Sequence, residues 1–191
     1  AAILLFGYYD LKKQDLNHDI EEAGPYARFV FDTDLGHFDL GNGEYIVALL
    51  SMSCEHCLEE TPALNDLMLM PEVPPMVALC LEENKGDMDR FRALAQPMFP
   101  LHSLGAQVRL FFNLIEEDTL GVCYVRDGHR IRYWDGRVPE YDELMEVIRE
   151  EHSEDTRTAE SIRLHPSALA PPILLLLLAL ALTAVFERRA S

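Results

Sequence analysis

Two runs in the middle of the chain are apolar at every position. Tyr45–Leu50 (YIVALL) and Met76–Leu81 (MVALCL) read as strands covered on both faces of a sheet that carries helices. Between them, Leu58–Met70 keeps Leu58, Leu64, Leu67 and Met68 roughly on one face of a helix. Pro62 falls inside that run and is expected to kink it, and Pro71, Pro74 and Pro75 end it. Asp87–Ala95 again has helical spacing, with Phe91 and Leu94 expected to point inward. Strand, helix, strand, helix is an α/β order, with the Tyr45 strand central.

The flanking stretches extend this plan. Arg28–Leu40 alternates apolar and polar residues around Asp34-Leu35-Gly36, the pattern of a hairpin, and Asn42-Gly43 gives a turn before the central strand. After an irregular Pro97–Gly105, the apolar residues of Gln107–Ile115 fit either a short helix or a strand. Gly121–Val125 and Ile131–Trp134 read as antiparallel partners across a tight Asp127-Gly128 turn. Pro139–Glu151 places Leu144, Met145 and Ile148 on one face of a closing amphipathic helix. The folded domain is expected over 28–151.

Both ends differ in composition from this domain. Residues 1–27 form an apolar remnant and linker: Ala1–Tyr9 (AAILLFGYY) reads as the tail of a membrane helix, a signal-peptide remnant or a buried strand. Residues 152–167 are polar, a tether composition. Residues 168–186 (ALAPPILLLLLALALTAVF) carry no charge and are apolar all round. About 19 residues at 1.5 Å per residue can cross a bilayer core of about 30 Å, so a transmembrane helix is expected here. A short basic tail, 187–191, follows with Arg188 and Arg189. Positive residues stay on the cytoplasmic side, which would put the domain across the membrane; Lys12 and Lys13 pull the other way.

With 191 residues there is one domain of ordinary size plus appendages. A formal net charge of -17 argues against nucleic acid as a partner, since phosphate binding needs a basic face. Four cysteines in a chain this long are not a disulfide scaffold, and only Cys54 and Cys57 are closely spaced.

The pair sits in Ser53-Cys54-Glu55-His56-Cys57, where the central strand gives way to the first helix. Two thiols with two residues between them at a helix start can close a small disulfide ring, and the helix N-terminus favours thiolate over thiol. Taken alone, the motif supports redox and metal chemistry equally. In an oxidising, exported setting a vicinal dithiol cycles only if a partner oxidises or reduces it.

Context separates the two. Cys54, Cys57, Glu60, Pro62 and Leu64 spell C-x-x-C-x-x-E-x-P-x-L, followed by strand, helix, hairpin and closing helix. Over about Phe29–Glu151 this resembles the thioredoxin superfamily, specifically its TlpA-like or redoxin branch of membrane-tethered thiol-disulfide oxidoreductases. The resemblance implies a thioredoxin-like central mixed sheet flanked by helices, here with a C-terminal transmembrane helix. It implies Cys54 as nucleophile, Cys57 as resolving thiol and Glu60 as proton-transfer partner; a carboxylate partly shielded from water suits that task. His56, between the cysteines, would stabilise the thiolate, whereas the charge of Glu55 works against it. No organic cofactor is required. The partners implied are protein thiols and disulfides at the outer side of a bacterial cytoplasmic membrane, together with a membrane redox partner.

Two departures from the pattern stand out. Ser53 replaces the usual aromatic residue before the first cysteine, and the cis-proline expected opposite the dithiol is missing, with Thr119 or Leu120 in its place. In the family fold the strands of Cys80 and Cys123 flank the central strand on opposite sides, about 9 to 10 Å apart, too far for a disulfide. Both are therefore expected to be buried free thiols, and His102 a loop histidine. Weaker similarity upstream, in LLFGYYDL, is to chains in which a DoxX or methylamine-utilisation type membrane domain precedes a thioredoxin-like domain.

Two rival readings remain. Met52-Ser53-Cys54-Glu55-His56-Cys57 also resembles the M-[ST]-C-x-x-C loop of copper chaperone domains, with Cys54 and Cys57 as Cu(I) ligands and Met68, Met70 and Met76 as thioether support. That fold needs a strand pair soon after its first helix, where Glu82–Ala95 is charged and helical. The other rival is a non-catalytic thioredoxin-like docking module.

Overall fold

A computed structural model describes residues 23–163. The N-terminal apolar stretch and the 168–186 segment lie outside the described residues. Among the described residues no helix is long and apolar enough to cross a membrane.

Strand β3 (Glu44–Ser51) is the centre of the architecture, and its buried pattern follows from the continuous apolar run. Both its edges are paired and side chains on both its faces are buried, and β4 (Met76–Leu81), buried at every position, is built the same way. The sheet has five strands in the order β5-β4-β3-β6-β7. β5 (Leu101–Ser103) and β4 run parallel to β3, while β6 (Leu120–Arg126) and β7 (His129–Asp135) run antiparallel. A parallel neighbour needs a crossover, and α1 (Glu55–Met68) supplies it between β3 and β4. The antiparallel pair β6–β7 needs only the tight turn at Asp127-Gly128, where both residues have positive φ.

Helices α2 (Asp87–Ala95), α3 (Val108–Phe112) and α4 (Tyr141–Arg163) complete the described chain, with a separate hairpin, β1 (Val30–Thr33) and β2 (Gly36–Asp39). Odd-numbered side chains of β3, such as Val47 and Leu49, join Phe31, Phe38, Leu81, Phe111 and Cys123 in one core cluster. The hairpin is therefore part of the domain's cover. Even-numbered Ile46, Ala48 and Leu50 point the other way and are also fully buried.

Several expectations change. In α2 the inward face is Met88 and Phe91, whereas Leu94 is 60% exposed. The ridge advances from 88 to 91 to the half-buried Ala95, an i, i+3, i+7 track that leaves Leu94 outside. The irregular Pro97–Gly105 contains β5, a three-residue edge strand, and Gln107–Ile115 resolves to the short helix α3. Helix α4 runs on through Arg163 into residues read as a tether. By internal contacts the chain divides after Met145. Leu144 and Met145 are buried in the first unit, and the described part of the second is the continuation of α4, exposed over 152–156. There Ser153 Oγ donates to the Glu150 carbonyl and Thr156 Oγ1 to that of His152, bonds compatible with an all-polar helix.

Candidate active site

Strand register assembles the site. Leu50 pairs with Leu120, Ser51 with Leu81, and Gly121 with Asp135. Those pairs bring four distant places, the 51–54 turn, the end of β4, the loop before β6 and the end of β7, to one end of the sheet. The dithiol lies there because α1 begins at the C-terminal end of β3.

Cys54 is the N-cap of α1. Its backbone is extended (φ -77, ψ 123), and its sulfur accepts the Cys57 backbone N–H at 3.3 Å. The sulfur thus takes the place of the serine or aspartate oxygen that usually satisfies a free amide of the first turn. A negative charge is favoured at that end of a helix. Cys54 is half-buried and so reachable, whereas Cys57, one turn in, is fully buried. Burial pushes the Cys57 thiol well up, and the adjacent Cys54 and the charge of Asp118 push it the same way. All four cysteines are free thiols.

Thr119 is half-buried in the loop that leads into β6 and faces both sulfurs. Its hydroxyl donates to Cys54 Sγ at 3.1 Å, and its carbonyl accepts from Cys57 Sγ at 3.6 Å. Leu120, the other candidate for the missing-proline position, is a fully buried strand residue paired with Leu50. No peptide bond among the described residues is cis.

The remaining expected residues are distributed less simply. The Nε2 hydrogen bond of His56 goes to the Gly136 carbonyl at 2.9 Å rather than to a sulfur. That bond raises the imidazole pKa, and the charges of Asp118, Glu60 and Glu59 add to it. Glu55 is exposed in the first turn. Glu60 is half-buried on α1 and is felt at His56, while the carboxylate felt at Cys57 is Asp118. Pro62 lies inside α1, so the Leu58 carbonyl lacks its amide partner; one residue earlier the buried Thr61 hydroxyl donates to the Cys57 carbonyl at 2.7 Å.

Three contributors went unread in the sequence. Asp118 Oδ1 accepts the Leu120 N–H at 3.2 Å, which holds the loop against the strand. Gly136 has φ +61, and a Cβ there would come within 2.9 Å of Asp118 Oδ2, so this turn favours glycine twice over. Glu83 accepts from the Ser53 hydroxyl, which also meets Ser51 Oγ at 3.2 Å, and so ties the turn before Cys54 to the end of β4. The acidic run Glu116-Glu117-Asp118 just ahead of a strand was the available signal for the first.

The thioether support of the copper reading does not assemble. Met68 lies eleven residues beyond Cys57 on the same helix, about 16 Å along its axis at 1.5 Å per residue. Met76 starts β4 opposite Ile46, at the other end of the strand from Leu81. Among the described residues no group of three or more His, Cys, Asp or Glu side chains is placed to hold a metal ion.

No protein-family model and no curated protein matches the chain. Solved structures do. A protein from Chlorobium tepidum described as a thiol:disulfide interchange protein DsbE shares 17% identity at a TM-score of 0.51, covering 66% of this chain and 94% of its own. The fold is thioredoxin-like. StoA from Bacillus subtilis superposes at 0.50 with 17% identity, over 63% of this chain and 95% of that one. The thioredoxin domain of a thiol-disulfide oxidoreductase from Bacteroides vulgatus superposes at 0.50 with 12% identity, over 67% and 96%. Within this thioredoxin-like fold the C-x-x-C pair stands at the strand-to-helix junction beyond the C-terminal end of β3, with Cys54 reachable and Cys57 buried.

Proposed function

We propose that the protein is a thiol-disulfide oxidoreductase acting on protein thiols and disulfides through Cys54 and Cys57. The observation that carries this is the asymmetry of the pair: a reachable sulfur capping a helix, with donors from Cys57 N and Thr119 Oγ1, backed by a buried sulfur one turn away. The Cys54 thiolate attacks one sulfur of a partner disulfide, forming a mixed disulfide and releasing the other partner sulfur as a thiolate that takes a proton. Cys57 then loses its proton and attacks Cys54 Sγ. The second partner thiol leaves, the partner disulfide ends reduced and the Cys54–Cys57 pair oxidised. Run backwards, the same steps oxidise a partner dithiol. The raised Cys57 thiol keeps that sulfur protonated until the mixed disulfide forms, so only Cys54 initiates exchange. Asp118, whose charge is felt at Cys57, is a second carboxylate able to exchange a proton with that thiol, beside Glu60, to which the resemblance gives the task. Similarity of fold to a thiol:disulfide interchange protein and to a thiol-disulfide oxidoreductase supports the reading.

Trapping experiments test the roles. With a disulfide-bonded partner, Cys57→Ser accumulates the mixed disulfide on non-reducing gels and Cys54→Ser forms none. Equal loss in both variants would undo the assignment.

The hydropathy of residues 168–186 and the basic tail after them support an anchor in a bacterial cytoplasmic membrane with the domain outside. The full chain then remains with membranes after an alkaline carbonate wash, and external protease removes the domain from spheroplasts. Release by the wash would refute the anchor.

A further inference from the structure

Thr119 meets the two sulfurs with groups of opposite character. Toward Cys54 it turns a donor, the hydroxyl, at 3.1 Å; toward Cys57 it turns an acceptor, its carbonyl, at 3.6 Å. A donor stabilises a thiolate, and an acceptor needs the proton of a thiol. We infer that Thr119 decides which of the two sulfurs is ionised, and that its hydroxyl sets the thiolate population at Cys54. This rests on the dithiol reading above and deepens it.

The hydroxyl has a second acceptor, Asp118 Oδ1 at 3.5 Å. One proton serves both, so it turns to the sulfur when Cys54 is a thiolate. When Cys54 is a thiol it can turn to the carboxylate, leaving the Thr119 oxygen to accept the S–H. The titratable groups around the dithiol are Glu55, His56, Glu59 and Glu60 on α1, Asp118 in the loop, Glu83 through Ser53, and Cys57 itself. Among these side chains only His56 can bring a positive charge, and its Nε2 is engaged by Gly136. The Thr119 hydroxyl is therefore the side-chain donor that Cys54 has, beside the Cys57 amide.

The test is the pH profile of Cys54 alkylation by iodoacetamide in the reduced protein, followed by mass spectrometry, for wild type, Thr119→Val, Thr119→Ala and Thr119→Ser. Loss of one charge-assisted hydrogen bond predicts about tenfold slower alkylation at pH 7 and a profile displaced to higher pH in both Val and Ala variants, with Ser close to wild type. Thr119→Val keeps the side-chain shape, and Thr119→Ala decides the matter if the Val variant does not fold. In glutathione buffer the two hydroxyl-free variants retain the Cys54–Cys57 disulfide at glutathione ratios that reduce wild type, because the reduced state has lost its thiolate donor. Val and Ala profiles that overlay wild type would overturn the inference. Alkylation needs no redox partner. A wild-type protein that never forms the disulfide in glutathione would thus remove the oxidoreductase reading and leave the Thr119 result to stand or fall separately.

Discussion

The molecule holds two pairs of cysteines that share a side chain and little else. Cys54 and Cys57 lie where a strand ends and a helix begins; Cys80 and Cys123 lie inside the sheet, one in β4 and one in β6. Cys80 pairs with Leu50 and Cys123 with Val47, so β3 stands between them and their side chains leave opposite faces. Burial pushes the Cys123 thiol up to about 12 and the Cys80 thiol higher still. Neither has a helix end or a neighbouring thiol to work with. On the proposed reading, a cysteine in this fold is reactive through its place at a helix terminus, and elsewhere serves as a small apolar group.

If that contrast is right, the two regions respond oppositely to substitution. Cys123 Sγ lies 3.2 Å from the hydroxyl of Tyr26, which is itself 1% exposed. Cys123→Ala leaves that hydroxyl buried without its partner and should cost about 1–3 kcal/mol. Cys123→Ser, which keeps a partner, should recover part of the loss. Cys54→Ser keeps an N-cap oxygen and should leave stability within about 0.5 kcal/mol of wild type while abolishing mixed-disulfide formation. Urea titrations followed by the fluorescence of Trp134, the single tryptophan, measure all three. A stable Cys123→Ala alongside a destabilised Cys54→Ser would reverse the comparison.

The difference between the regions also marks what could be read without the fold. Continuous apolar runs gave β3 and β4, because burial on both faces leaves no polar position to miss, and C-x-x-C at the junction located the dithiol. β5 was not legible: only three residues of an edge strand carry it, between Pro100 and the loop at Gly105, too few for any period to show. Leu94 was misread because the sequence does not say where the neighbouring surface stops. Glu83 and Gly136 reach the site through contacts spanning 30 and 80 residues, Glu83 through Ser53 and Gly136 through His56. Such contacts are set by strand register and leave no local pattern. Thr119 shows both sides. The resemblance pointed to Thr119 or Leu120 opposite the dithiol, whereas nothing in the sequence pointed to the hydrogen bond from Thr119 to Cys54.

The smallest effect comes from alkali, and its sign follows from burial. In the unfolded chain a thiol titrates near its ordinary value of 9.0, whereas Cys80, Cys123 and Cys57 are held above it in the native state. Below pH 9 these thiols are protonated in both states and contribute nothing pH-dependent. As pH rises past 9 the unfolded thiols lose protons that the native ones keep, so the unfolded state gains and stability falls until the native values are reached. Near pH 10 the loss is about 1 kcal/mol per buried thiol. Cys123→Ala removes one such thiol, so its stability, lower throughout, should decline less steeply than wild type between pH 9 and 10. Cys54→Ser leaves all three buried thiols in place, so the alkaline fall that they cause should remain. A Cys123→Ala curve that ran parallel to wild type would mean that Cys123 ionises in the folded sheet as freely as in the unfolded chain, and the distinction between the two pairs of thiols would then be one of access alone.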